Sequence, residues 1–534
     1  MVAPYVKSVL EDQSTRVVSA SGVYTGVVIA AKKGPVNVPY LITSQTELLR
    51  VFTPNEKIEI GWDMAYYSAY YYLRDGNKLW VVRACDLENA KYGGCIIKLA
   101  DEAANAQATA GFTDPSLYSF DTKDACLIYG ANVGAWNDDI GIKIITDQAK
   151  VKLEGAFIIE VYKGLSGSSE NLVGTKVESF TVSFDETLKN GYGVNCYIET
   201  VLEGSNYIRA YVNEAVLAAA TSKVPKEQDK ILTLKGGNDG NAVQSGDRIT
   251  AVKTLGNTND IQLSLLMDGG ETTAEYQKAL IEVCQTRNES TFAVLSMPYE
   301  KSVSSNNIND MTEYATTELN ANSYLAALYA PHQKMYDEFN DRNIYVDPAT
   351  FVAGRVSVVA EDYGWHWPAA GYNRGIVNTL DVAATFTTGQ LDTLSESQVN
   401  VIIKDPGTGN VIYDQLTTQN KASDLQEQSI SLYLNVYLRP ALKDMLKYYL
   451  FELNDEETRM AITKRIDVFM QAEKASRACY DYRVVCDETN NLDSDIENNR
   501  LNAWVYIKPT KPAKFIEQRI IITPYSVDLA TIEI

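Results

Sequence analysis

Leu263-Ser264-Leu265-Leu266-Met267 and Phe292-Ala293-Val294-Leu295-Ser296-Met297-Pro298 are continuous apolar runs that read as buried strands, and residues 273–287 between them read as a helix. Strands and helices in alternation are the mark of an α/β layer. Working outward, Tyr324-Leu325-Ala326-Ala327-Leu328-Tyr329-Ala330-Pro331 adds another strand, so 249–378 is α/β throughout. Toward the N-terminus, Val23–Ala31 has the same character and is stopped by Lys32-Lys33-Gly34-Pro35. Ser44 with Glu47 three residues on is a capping-box signal for a short helix. Residues 62–73 (WDMAYYSAYYYL) predict a helix with aromatics on more than one face, Asp75-Gly76-Asn77 a turn, and Leu79–Ala84 a strand.

The pattern changes near residue 90. From there to about 235, short alternating stretches such as 156–163 (AFIIEVYK) and 177–184 (VESFTVSF) lie between Gly, Asn, Asp and Ser, as in a β-rich insertion. Leu232-Thr233-Leu234-Lys235-Gly236-Gly237-Asn238-Asp239-Gly240 closes it. Beyond about 390 come a strand at Val399–Ile403, a turn over 405–410, a second strand, helices over 424–451 and 455–477, and strands over 501–508 and 514–523. Pro440 is expected to kink or split the first of these helices. The expected division is an arm at 1–21, a discontinuous α/β domain at 22–90 plus 232–385, a β-rich insertion at 91–231, a C-terminal domain at 386–523 and a second arm at 524–534. The fold class is multidomain α/β or α+β, with an α/β core and a β-rich outer insertion.

Composition narrows the function. The 534 residues are 45% apolar and 22% charged, which is globular, and no run reaches the ~18 apolar residues that suggest a membrane span. Glu11 and Asp12 interrupt the N-terminus before an apolar core develops, so it does not read as a signal peptide. A net charge of −21 repels nucleic-acid phosphates. Only two histidines, His332 and His366, weaken any mechanism that needs a His base or a His-rich metal site. Seven scattered cysteines without a C-x-x-C predict reduced, buried thiols. The 34 tyrosines suit protein interfaces.

The motifs offer little chemistry. Gly236–Gly240, Gly191-Tyr192-Gly193 and Gly407-Thr408-Gly409 lack phosphate-loop or dinucleotide spacing and read as turns. Glu361-Asp362-Tyr363-Gly364-Trp365-His366-Trp367-Pro368 is the most enzyme-like stretch. A carbohydrate-binding or hydrolytic site there competes with a packed aromatic turn, and no second acidic constellation supports the site. Cys486-Asp487-Glu488-Thr489-Asn490-Asn491 lacks the glycine and spacing of a calcium loop and reads as a solvated turn. The 455–477 helix, with Asn454 as expected N-cap, stands out by charge. Arg459, Lys464, Arg465, Lys474 and Arg477 against Asp467 and Glu473 give +3 from 459 to 477, over an apolar stripe of Ile462, Ile466, Phe469 and Met470. A basic surface for an acidic protein partner competes here with an ordinary solvated face.

Taken in order, several stretches resemble contractile phage tail sheath proteins. They are Gly22-Val23-Tyr24, Ala31–Pro39, Leu79-Trp80-Val81-Val82-Arg83, Lys235–Gly240, Tyr324–Pro331, Val352-Ala353-Gly354-Arg355 and Trp367–Gly371. The most specific lie at the C-terminal end: Phe451-Glu452-Leu453-Asn454-Asp455-Glu456, Val485–Asn491, and Tyr506-Ile507-Lys508-Pro509 leading to Phe515-Ile516-Glu517. His332 stands where the family often has Trp. The resemblance is collinear over about 20–90 and 232–523.

The resemblance implies a tail-sheath fold whose C-terminal domain faces an inner tube and whose insertion points outward. It implies sixfold rings of this chain stacked helically, with tail tube, baseplate and tail terminator proteins as partners. It implies a place in the virion after synthesis in the host bacterial cytoplasm. No catalytic residue, cofactor, metal, nucleic acid or membrane insertion is expected. The arms, with Tyr5, Val6 and Val9 at one end and Val527, Leu529 and Ile532 at the other, are expected to add strands to neighbouring subunits. Lys464, Arg465, Lys474 and Arg477 are the candidate tube contacts. The same fold and mechanism serve headless contractile injection particles, which is the principal alternative; a hydrolase or carbohydrate-binding protein using Glu361, Asp362, Trp365 and Trp367 and another self-assembling shell or tube protein are the remaining ones.

Overall fold

The computed structural model describes residues 22–520 other than 103, 109, 169, 170 and 221. The chain forms two compact units, one ending at Ala441 and one beginning at Leu442.

The first unit is built on a nine-stranded sheet. Its parallel strands run in the spatial order Leu79–Arg83, Thr25–Ile29, Leu265–Met267, Phe292–Ser296, Ala326–Ala330 and Val399–Asp405. The first strand in sequence therefore lies second in the row, and the winding reverses beside it, as in doubly wound sheets. Antiparallel strands close both edges: Tyr40–Ile42 on one side, Gly409–Ile412 and Ile376–Val377 on the other. Helices cover both faces, so successive residues of a strand enter different cores. Val27, Ile29, Leu265, Met267, Phe292 and Val294 pack with the Ala65–Asp75 and Pro348–Asp362 helices. Val28, Leu266, Ala293 and Leu295 pack with the Ser245–Lys253 and Ala274–Thr286 helices. This two-sided burial is why the strands read as unbroken apolar runs.

The tyrosine-rich helix has a core role as well as an aromatic surface. Tyr66, Tyr67, Tyr71 and Tyr72 are all buried. Their hydroxyls donate to the Phe52 carbonyl (2.8 Å), Asp337 Oδ2 (2.7 Å) and the Tyr336 carbonyl (2.8 Å), and Tyr72 pairs with Ser357 Oγ (3.0 Å). Each buried phenol thus keeps a partner, without which its burial would be costly. All seven cysteines are buried and unpaired.

The insertion folds as two four-stranded sheets around one core that includes Cys95, Ile128, Ile142, Phe157 and Ile159. The two predicted strands form a long hairpin, Phe157–Ser168 against Asn171–Val182. The chain enters and leaves through a stem in which Ala90–Lys91 pairs with Asn238–Asp239. Buried Arg83 fastens the insertion to the core, with Nε on the Ala31 carbonyl (2.7 Å) and Nη1 on those of Gly34 (2.8 Å) and Val133 (2.9 Å). Lys33 Nζ lies 4.7 Å from the Tyr207 ring centre and 5.4 Å from that of Trp136, and burial pushes its pKa down to about 8.

One sequence expectation about the core needs correction. The Val399–Asp405 hairpin was assigned to a C-terminal domain starting at 386, but it extends the nine-stranded sheet, and the compact units divide at Ala441/Leu442. A strand that pairs across the sequence cannot be placed from its local composition. The 424–451 helix is split, as expected from Pro440. Gln428–Ser431 is α-helical, Leu432–Leu438 is a π-helical stretch, and Arg439–Leu446 is α-helical again. The widened turns lie just before Pro440, which has no N–H to donate backward.

Candidate functional site

The basic helix runs from Glu456 to Ala475 in the second unit. Its N-cap is Asp455, whose Oδ1 accepts from Thr458 N at 2.8 Å, and not Asn454 as the sequence suggested. A carboxylate gains more than an amide from the positive helix N-terminus. Asn454 instead accepts from Arg459 Nη1 (3.0 Å) and donates to the Arg500 carbonyl (3.0 Å). Ile462, Ile466, Phe469 and Met470 form the buried stripe as expected, and Arg459 and Glu473 join it. The helix closes with Ala478 N on the Glu473 carbonyl (3.0 Å) and Arg477 N on that of Lys474 (3.1 Å). This is a Schellman ending, in which the left-handed position is normally glycine. Here it is Arg477, at φ 71°.

After that turn, Cys479–Val485 pairs antiparallel with Trp504–Pro509. One face of this two-stranded sheet meets the helix, where Tyr482 OH donates to Asp467 Oδ1 at 2.8 Å. Tyr480, Trp504 and Tyr506 are exposed. Among the described residues no strand pairs with either outer edge. The Cys479–Val485 strand was missed in the sequence because Tyr480-Asp481-Tyr482-Arg483 carries charges that read as surface. The expected strand at 514–523 is not formed over its described part, 514–520, which instead exposes Phe515, Ile516 and Ile520.

The Asp487–Asn491 turn is solvated, as expected, at Asp487, Glu488 and Thr489, but not beyond them. Asn490 and Asn491 are buried, and their amides donate to the Asn502 carbonyl at 3.1 and 3.0 Å. Asn502 answers with its backbone N–H to Asn491 Oδ1 (2.6 Å) and its amide to the Asn490 carbonyl (2.9 Å). This ladder ties together the ends of the segment that joins the two strands. The adjacent asparagines were its only sequence signal.

The four candidate contact cations do not share one face. At about 100° per residue, Lys464 stands opposite the buried stripe and Arg465 on its flank, half-buried. Lys474 lies on the other flank, paired with Asp481 at 2.8 Å, which raises its pKa. Arg477 is beyond the helix end. Met460 and Val468, one turn to either side of Lys464, are exposed and were not singled out in the sequence. Tyr5, Val6, Val9, Val527, Leu529 and Ile532 lie outside the described residues.

The enzyme-like stretch resolves as a packed turn. The Arg374 guanidinium lies 4.4 Å from the Trp367 ring centre and 5.9 Å from that of Tyr363. Glu361 accepts from the backbone of Val23 at 3.3 Å. The void beside Trp365 and Trp367 is about 10 Å³, no more than a water requires.

Comparison with known proteins matches residues 241–418 to the phage tail sheath protein central domain and 424–523 to the phage tail sheath C-terminal domain. The chain belongs to the phage tail sheath family. The tail sheath protein of Enterobacteria phage T4 is 30% identical over 375 residues, covering 66% of this chain and 55% of that protein. The tail sheath protein of Vibrio phage KVP40 is 28% identical over 396 residues, covering 69% and 57%. The chain thus spans little more than half the length of these relatives. In fold it is similar to a sheath tail protein from Listeria innocua, with a TM-score of 0.57 at 11% identity, covering 92% of this chain and 95% of that one. It is also similar to the contracted-state sheath of an extracellular contractile injection system, with a TM-score of 0.52 at 12% identity and 98% coverage of both chains. The central-domain match of the tail sheath family runs through the Val399–Asp405 hairpin, in keeping with its place in the large sheet.

Proposed function

We propose that this chain is a structural subunit of a contractile phage tail sheath, which polymerises around a tail tube and contracts to drive the tube through the host envelope. The observation that carries the reading is the small C-terminal sheet: two strands, a helix on one face, and two outer edges that no described strand occupies. A two-stranded sheet is marginal alone and an open edge is a template for another chain. Strands supplied by the arms of neighbouring subunits would complete it and weave copies into a mesh. Such head-to-tail contacts build helical assemblies, here sixfold rings stacked along the tube. Contraction is then a one-way passage from a metastable assembly to one with more buried interface, and it requires neither a catalytic residue nor a cofactor.

The partners on this reading are further copies of the chain, the tail tube, and baseplate and terminator proteins. The subunit would be made in the bacterial cytoplasm and end in the virion. The phage reading is preferred to the headless particle because the relatives similar in sequence are phage proteins. Electron microscopy of the concentrated protein tests it. Hollow tubes that are lost when 1–20 or 525–534 is deleted are the expected result. Tubes that survive both deletions overturn the woven arms, and globular particles without a tubular form overturn the sheath.

A further inference from the structure

Two buried carboxylates lie at the carboxyl-terminal side of the large parallel sheet of the first unit. Asp268 follows the Leu265–Met267 strand, and Asp347 caps the Pro348–Asp362 helix. They are 0% and 2% exposed. Among the described residues no Lys, Arg or His is bonded to either.

Their hydrogen bonds differ in kind. Asp268 Oδ2 accepts from Ser296 N (2.5 Å) and Gln277 Nε2 (2.9 Å), and its Oδ1 from Ser296 Oγ (3.0 Å) and Gly270 N (3.3 Å). Ser296 Oγ also accepts from Ala349 N at 3.2 Å, so its own proton belongs to Asp268. Asp268 is thus ringed by donors, as suits an anion. Asp347 Oδ1 accepts from Thr350 N at 2.9 Å, and Thr350 Oγ1 lies 3.0 Å from both oxygens. Its Oδ2 is bonded to Ser68 Oγ. That hydroxyl also faces the Met64 carbonyl at 3.3 Å, which can only accept. A serine has one proton. Given to Met64, it leaves the Ser68–Asp347 bond to be made by a proton on the carboxyl.

The surrounding charges do not supply a counterion. Arg248, the nearby cation, is shared between Asp63 (2.9 Å) and Glu271 (3.2 Å). The Tyr314 hydroxyl is spent on the Thr272 carbonyl (2.7 Å) and Gln277 Oε1 (2.9 Å), and burial pushes the Tyr276 and Tyr314 phenols upward, so both stay neutral. The helix N-terminus favours an ionised Asp347 only modestly. A second unpaired buried carboxylate costs more than that, so the second charge is suppressed. Burial raises both carboxyls above their usual range.

We propose that Asp268 and Asp347 hold one proton between them in the folded subunit, seated on Asp347 Oδ2 toward Ser68, and that its loss at higher pH loosens the packing of the Ala65–Asp75 and Pro348–Asp362 helices on the sheet. The sign follows from linkage. A carboxyl raised on folding takes up a proton as the chain folds, so its contribution is full below the ordinary carboxyl range, about pH 4, and is lost as pH rises through the folded value. Salt-bridged carboxylates do the reverse.

Urea unfolding of the full chain and of Asp347→Asn and Asp268→Asn, from pH 5 to 8, tests this. Asparagine at 347 keeps a donor for Ser68 and an acceptor for Thr350. The variant is expected to gain on the wild type by up to tenfold in unfolding equilibrium per pH unit, the value for one proton. Asparagine at 268 turns a donor toward donors and is expected to unfold at lower urea at every pH. Parallel pH profiles for the wild type and Asp347→Asn overturn the proposal, and so does a tolerated Asp268→Asn with a damaged Asp347→Asn. The wild type alone gives a further readout should a variant not fold: a protonated-carboxyl infrared band at neutral pH is expected, and its absence overturns the proposal.

Discussion

The chain contains two sheets built to opposite specifications. The nine-stranded sheet is covered by helices on both faces and closed by antiparallel strands at both edges. The two-stranded sheet of Cys479–Val485 and Trp504–Pro509 has one face on a helix, aromatic side chains exposed, and outer edges that no described strand occupies. The first satisfies its own backbone and buries its own apolar surface. On the proposed function, strands of neighbouring copies complete the second, and its energetics then belong as much to assembly as to folding. One subunit thus combines a sheet complete in itself with one that leaves both its outer edges open among the described residues.

That contrast can be broken at either end. The largest expected effect is in the large sheet: Phe292→Ala removes a fully buried ring and should cost about 3–5 kcal/mol in denaturant unfolding, reducing soluble subunit before any assembly defect is seen. Asn491→Ala is intermediate. It strips the ladder that joins the ends of the small sheet and should cost about 1–3 kcal/mol. Hydrogen exchange should place that loss in the 479–509 hairpin and leave the large sheet protected. The smallest effect on stability, up to about 1 kcal/mol, is expected from reversing Lys464, Arg465, Lys474 and Arg477 together to Glu, which loses the Lys474–Asp481 pair and puts acid in the last helical turn. The same variant should no longer co-sediment with tail tubes while still self-assembling, and unchanged co-sedimentation would remove these residues as tube contacts.

What the sequence revealed follows the same division. Leu263–Met267, Phe292–Pro298 and Tyr324–Pro331 were legible because burial on both faces writes a continuous apolar run. The Ser44 cap was legible because its signal is local: Ser44 Oγ accepts from Glu47 N at 3.2 Å. Cys479–Val485 was not, because a strand with one face exposed carries charge like any surface. Asn490 and Asn491 read as a turn, since buried amides are visible only once Asn502 is brought beside them. The four cations were found as a composition but not as a surface, because helical periodicity places Lys464 and Arg465 on different sides, and Arg477 lies past the helix end. Membership in one sheet, as for Val399–Asp405, depends on pairing across distant sequence, which no local pattern records.

The stem of the insertion has a practical consequence. Ala90–Lys91 and Asn238–Asp239 are paired neighbours, so the intervening chain leaves and re-enters the core at a single point. A segment with adjacent ends can be exchanged without altering the path of the remainder. On the proposed function, with the insertion outermost, a short turn in its place would yield a slimmer filament, and a foreign folded domain with neighbouring termini would convert the sheath into a regular display lattice.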